Sequence, residues 1–172
     1  AMAIDAPQEK AAREAALAAA EAAALRERAA EARARALRVV IVDRDLKMCC
    51  PRCALIFVEY SGCNALTCPK CAAGFCAVCL KDCGADAHPH IKASAACGPE
   101  YFNRPLFDRE KRKRFLARVV ASVAGLAGEG AALQRAVVAE LGKADLPDLG
   151  IAVAEVLAAA NIRGWTCKDC TG

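Results

Sequence analysis

Hydrophobic and polar positions divide this chain into three stretches of different character. From residue 8 to residue 38 nearly every position is alanine or a charged helix former, leucine occurs only at 17, 25 and 37, and Gly and Pro are absent. These residues predict a helix of about 30 residues, roughly 45 Å long at 1.5 Å per residue. Glu9 with Arg13 and Glu31 with Arg35 stand four apart in the favourable order, which adds a few tenths of a kcal/mol per pair. The three leucines do not sustain heptads, so the helix reads as a spacer or docking helix and not as a coiled coil. Val39 to Val42 is a β-branched run, readable as a strand or as a buried helix end.

The middle stretch offers Leu55 to Tyr60 (LIFVEY), rich in strand formers and closed by the turn pair Ser61-Gly62. It predicts one arm of a hairpin. After Gly98-Pro99 the pattern becomes helical again. Helices are expected over about 106–125, with Pro105 in the first turn, over 131–142, and over 147–161. Leu116, Val119, Val120 and Val123, then Leu133, Val137, Val138 and Leu141, then Leu149, Val153, Val156 and Leu157 recur at helical spacing, the mark of a packing unit.

Composition changes the picture in the middle. Of the 12 cysteines among 172 residues, all but Cys167 and Cys170 lie between Cys49 and Cys97, and aromatic residues make up only 5% of the chain. Such a segment has too little apolar bulk to fold on its own core. No charged start with an apolar h-region is present, and no apolar run approaches the ~20 residues of a membrane span. The chain is therefore expected in the cytoplasm or nucleus, without membrane contact, where thiols stay reduced and zinc is a better explanation than disulfides. The net charge of +4 is mild. The basic run Arg109 to Arg118 reads as a solvated helix face and, lacking interleaved aromatics, argues against nucleic acid as a partner.

Cys50-Pro51-Arg52-Cys53 and Cys68-Pro69-Lys70-Cys71 are two C-x2-C knuckles. Each lets two thiolates face one ion, and the pair completes a tetrahedral site of four sulfurs. A third knuckle, Cys76 and Cys79, needs two further ligands. His88 and His90 are the only histidines of the chain. The expected second site is Cys76, Cys79, one of His88 and His90, and Cys97, with Cys83 competing for the last place. Cys63 is left without a partner. As an unligated thiol in a turn between knuckles, it is either a spare cysteine or a nucleophile.

In number, order and spacing, CPRC, the strand-like stretch ending in Gly62-Cys63-Asn64, then Cys68, Cys71, Phe75-Cys76, Cys79, a histidine and Cys97 resemble the last zinc module of RING-between-RING ubiquitin ligases. The resemblance covers residues 50–97. It implies that Cys63 accepts ubiquitin from an E2 conjugating enzyme as a thioester and passes it to a protein substrate. The family carries a histidine two residues after that cysteine as base for the incoming amine, and here the position is Ala65. Neither the E2-binding RING nor the in-between module accompanies residues 50–97. The chain is thus expected to be a fragment, a subunit relying on another E2-binding part, or a non-catalytic relative whose module only binds proteins of the ubiquitin system. At the end, Trp165 to Thr171 resembles half of an NZF-type finger, a small ubiquitin-binding zinc fold.

The expected architecture is mainly α, with a small hairpin-containing module of two zinc ions between a long N-terminal helix and a C-terminal helical unit. The expected divisions are 1–47, 48–98, 99–163 and a tail from 164.

Overall fold

A computed structural model describes residues 6–57 and 62–162. The chain is mainly helical. Helix α1 (Ala6–Asp45) takes up the alanine-rich stretch and continues through Val39 to Val42. The β-branched run is therefore a helix end and not a strand. Its reason is tertiary: Ala34, Leu37 and Ile41, spaced as one helical stripe, pack into an apolar core shared with the C-terminal helices. That burial outweighs the small helical penalty of β-branched residues. From residue 8 to residue 33 every residue of α1 is exposed. Most of the helix thus stands clear of the body.

The C-terminal unit contains α3 (Arg104–Ala124), α4 (Ala131–Gly142) and α5 (Val153–Ala159). Phe115, Val119 and Val123 of α3 meet Val137, Val138 and Leu141 of α4 and Val156 and Leu157 of α5 in one buried cluster. The helix expected over 147–161 is split. A single 3-10 turn (Pro147–Leu149) comes first, and Gly150 then adopts φ +65°, a left-handed conformation that ends a helix and that glycine adopts without a Cβ clash. Arg38 ties α1 to the α4–α5 connection by two bonds to Asp145, of 2.6 and 2.9 Å.

Between these helical parts lie two separate antiparallel pairs. Strand β1 (Met48–Cys49) pairs with β2 (Ile56–Phe57), Met48 opposite Phe57, and β3 (Ala65–Thr67) pairs with β4 (Gly74–Cys76), Leu66 opposite Phe75. Of the strand expected over Leu55 to Tyr60, Ile56–Phe57 are strand, as β2, and its partner lies before the first knuckle. Residues 58–61 fall outside the described part of the chain.

Helix α3 joins this module to the helical core. Phe107 packs against Met48 and Ala77, whereas Phe115 lies in the core cluster. The basic run of α3 is not one solvated face. Arg114 donates to the carbonyls of Ala77 and Val78, Arg118 to that of Lys47, and Arg112 to Gly150 O and Glu155. Burial pushes the Arg114 guanidinium below its ordinary value. Among the described residues no helix is long and apolar enough to cross a membrane.

Candidate metal centre

The three knuckles share one backbone design. The amides of Ala54, Ala72 and Leu80 bond to the carbonyls of Cys50, Cys68 and Cys76 at 2.9, 2.9 and 2.8 Å. Ala54, Ala72 and Leu80 all hold positive φ, at 58°, 55° and 59°. The amides of Cys50, Cys68 and Cys76 in turn bond to Leu55, Ala73 and Lys81 O. Left-handed backbone costs a non-glycine residue about 1–2 kcal/mol. A threefold repeat of this strained turn, each time just after the second cysteine, implies something beyond local propensity that holds it.

At the first group, Cys50, Cys53, Cys68 and Cys71 bring their sulfurs together. Cys50 Sγ lies 3.7 Å from Cys71 Sγ, and Cys53 Sγ 3.6 Å from Cys68 Sγ. A disulfide needs about 2.05 Å. Four sulfurs about 2.3 Å from one ion at tetrahedral angles lie about 3.8 Å apart, which matches. The thiols cannot all ionise alone. Burial pushes Cys68 up, but amides of Cys71 and Lys70 and the thiols of Cys53 and Cys71 bring it down to about 7. The Ala73 amide favours the Cys71 thiolate, yet burial and the thiols of Cys53, Cys68 and Cys50 push it up to about 12. A cation lets all four be thiolates at once. Arg52 clamps the first knuckle to Asp82 with bonds of 2.8 and 2.7 Å. Phe75, edge-on to Phe57 at 5.2 Å, fills the space beneath.

The second group is Cys76, Cys79, His90 and Cys97. His90 Nε2 lies 3.2 Å from Cys79 Sγ and 3.5 Å from Cys97 Sγ. Sulfur and imidazole nitrogen on one tetrahedral ion are about 3.6 Å apart, so this donor set also fits a metal. His88, carried above as a ligand candidate, is not part of it. Both histidines lie on the short helix α2 (His88–Ala93), where residues two apart point in different directions. Ile91 of α2 is buried against Cys76, Val78 and Cys97, which turns His90 to the sulfurs and His88 away. Cys83 is likewise outside the group; its thiol faces Lys81 O at 3.3 Å.

His88 instead meets Cys63, one of three cysteines among the described residues, with Cys49 and Cys83, that neither group uses. Its Nε2 lies 3.5 Å from Cys63 Sγ, and its Nδ1 lies 2.6 Å from Asp86 Oδ1. The Tyr101 ring stands edge-on to the imidazole at 4.9 Å. The backbone amide of His88 and its ring hold the Asp86 carboxyl below the usual range. In the tautomer that carries its proton on Nδ1, that proton goes to the carboxylate and the Nε2 lone pair faces the thiol. Cys63 itself is fixed from the next residue. Asn64 is buried, its amide bonds to Tyr101 O at 2.6 Å, and its carbonyl accepts from Ala77 at 2.8 Å. No family model, curated protein or solved structure matches the chain.

Sequence reasoning missed Asp86 and Tyr101 altogether and left His88 and His90 as alternatives for one ligand position. One signal was present for Asp86: an Asp two residues before a Pro-containing helix start is a capping candidate, and its carboxylate does accept the His88 amide at 3.0 Å. The half-finger at Trp165 to Thr171 lies outside the described residues.

Proposed function

We propose that this chain is a zinc-built thiol module of the ubiquitin system, in which Cys63 accepts ubiquitin from an E2 thioester and passes it to a protein amine. Zinc is the cation that four thiolates, or three thiolates and an imidazole, take at tetrahedral geometry. Closed sets of four protein ligands leave no open position, so both ions are structural, and their chemistry is to fold the module and mask eight ligands.

One observation carries the reading. Cys49, Cys63 and Cys83 stand outside both groups and are half-buried, and of these Cys63 has an imidazole nitrogen at 3.5 Å. Zinc-bound thiolates are poor nucleophiles, whereas a free thiol beside an imidazole has the arrangement nucleophilic catalysis uses. The order and spacing of the knuckles around Gly62-Cys63-Asn64, as in RING-between-RING ligases, support ubiquitin as the acyl group. The rival reading, a module that only binds a protein partner, draws on Ala65 in place of the family's histidine.

The test is to incubate the zinc-loaded chain with an E2 charged with ubiquitin and supplied with that E2's RING partner. A thiol-sensitive ubiquitin adduct on Cys63 is expected, converted to a thiol-resistant oxyester by Cys63→Ser. Absence of any adduct across a panel of charged E2 enzymes, with two zinc ions bound per chain, leaves the binding module in its place.

A further inference from the structure

We propose that His88 and Asp86 complete a catalytic site with Cys63: His88 Nε2 is the base that carries the thiol's proton, and Asp86 is the positioning residue that fixes the ring. The assignment rests on Cys63 being the acceptor thiol of the preceding section. It places the base on α2, from a different part of the chain than residue 65.

Three independent features converge on this point. The contacts run in series, Sγ to Nε2 at 3.5 Å and Nδ1 to carboxylate at 2.6 Å, with the ring's two nitrogens facing the two partners that a thiol–imidazole relay needs. The ring is also braced from the side by Tyr101, whose own carbonyl holds the amide of Asn64 next to the thiol. Finally, Asp86 is seated by close backbone packing: a Cβ added at Gly74 would stand 2.6 Å from Ala85 C and O and 2.7 Å from Asp86 N. Both partners of the thiol thus ride on the turn and helix that lead from the third knuckle to His90 and Cys97, and the second metal group holds that segment in place. The half-exposed setting of Asp86 and His88 leaves room for an acyl group and an amine to approach.

The chemistry balances without any further reagent. The thiol proton of Cys63 passes to His88 Nε2 as Sγ bonds to the carbonyl carbon of the incoming thioester. The bond from that carbon to the E2 sulfur then breaks, and the E2 sulfur leaves with the proton returned from Nε2. In the second half an amine nitrogen bonds to the same carbon and gives its proton to Nε2. The bond to Sγ breaks, and Sγ regains a proton, leaving an amide and the starting thiol.

The experiment uses the zinc-loaded chain and two probes read at Cys63 by mass spectrometry. One is iodoacetamide, and the other is ubiquitin carrying a C-terminal 2-mercaptoethanesulfonate thioester, which needs no E2. His88→Gln is expected to slow both reactions at least tenfold, a threshold set below the about 10²- to 10⁴-fold typical of general acid–base groups. Two bound metal ions should be retained. Asp86→Asn should slow both several-fold and Asp86→Glu should restore them. Added imidazole should recover part of the rate of His88→Ala and leave wild type unchanged, a rescue that a structural role does not give. Wild-type rates in His88→Gln and His88→Ala with both metals bound, or an absence of imidazole rescue, overturn the assignment. His88-dependent alkylation with no ubiquitin transfer supports the thiol–imidazole site and removes the ubiquitin reading. Ubiquitin transfer indifferent to His88 does the reverse.

Discussion

Ala65 sits opposite Cys76 in the β3–β4 ladder, so the Cys63 turn hangs from the first ligand of the second metal group and not from the first group. Ala65 also packs, half-buried, against Cys76, Val78 and Ile91. A histidine at this position enters that cluster instead of the solvent near the thiol. Ala65→His is therefore expected to destabilise the module by about 1–3 kcal/mol, the range for overpacking. It should not accelerate ubiquitin discharge from Cys63. Thermal unfolding and single-turnover discharge check the two halves separately, and faster discharge at unchanged stability contradicts the placement.

Gly74 offers a test from the other side of the same ladder. Its position opposite Thr67 presses it against the Ala85–Asp86 backbone, where an added Cβ meets main-chain atoms at 2.6 to 2.7 Å. Backbone cannot swing aside as a side chain does. Gly74→Ala should destabilise by about 1–3 kcal/mol and slow Cys63 alkylation, because the turn it displaces carries Asp86 and leads to His88. Retained stability together with an unchanged alkylation rate excludes the coupling.

The knuckle turns make a prediction of opposite sign. Ala54 and Ala72 hold φ of 58° and 55° and both are exposed, so their methyl groups contribute strain with little packing in return. Ala54→Gly and Ala72→Gly relieve up to about 1 kcal/mol of left-handed strain, less the entropy glycine costs the folded state. Unfolding midpoints of metal-loaded protein should hold or rise. A fall of more than about 1 kcal/mol in either variant indicates that the turn does not need positive φ.

These turns also explain what was legible in the sequence. A C-x2-C knuckle is local: its ligand geometry follows from five consecutive residues, so Cys50, Cys53, Cys68 and Cys71 could be grouped from spacing alone. His90 could not be separated from His88 that way. The choice depends on which side of a six-residue helix Ile91 buries, a tertiary fact. The same holds for Val39 to Val42, whose helical state is imposed by the core beneath Ile41. It holds too for Arg114, whose partners Ala77 and Val78 lie in another part of the chain.

Metal removal should act unequally on the two halves of the molecule. The apolar cluster of Ala34, Ile41, Phe115, Val137, Leu141 and Val156 contains no ligand, whereas the knuckle turns carry all eight members of the two candidate metal groups except His90 and Cys97. A strong chelator is expected to release two zinc ions per chain, open residues 48–98 to proteolysis, and leave most helical circular dichroism in place. Loss of nearly all helical signal shows instead that α3 depends on its contacts with Met48 and Ala77. Release of fewer than two ions sinks one of the groups.

Asp45 should make the helical core sensitive to acid. Its carboxyl is buried at the end of α1, and that burial raises its pKa. Two bonds from Arg44 at 2.9 and 3.0 Å, the Ser122 hydroxyl at 2.5 Å and the charges of Arg44 and Arg118 more than offset this and hold it below the ordinary value. A carboxylate depressed in the folded state contributes stability that is present above its unfolded pKa of about 3.9 and is lost as pH falls through the lower folded value. Asp45→Asn keeps the shape but not the charge, and it leaves Ser122 and Arg44 with a weaker acceptor. At pH 7 the variant should be less stable by about 1–3 kcal/mol. The difference should shrink below about pH 4 as the wild-type carboxylate takes up its proton. Both proteins are followed by helical circular dichroism with chelator present throughout, so that zinc release at acid pH contributes nothing to the comparison. A gap that stays constant from pH 7 to pH 3 rules out the charge of Asp45 as the source of the stability.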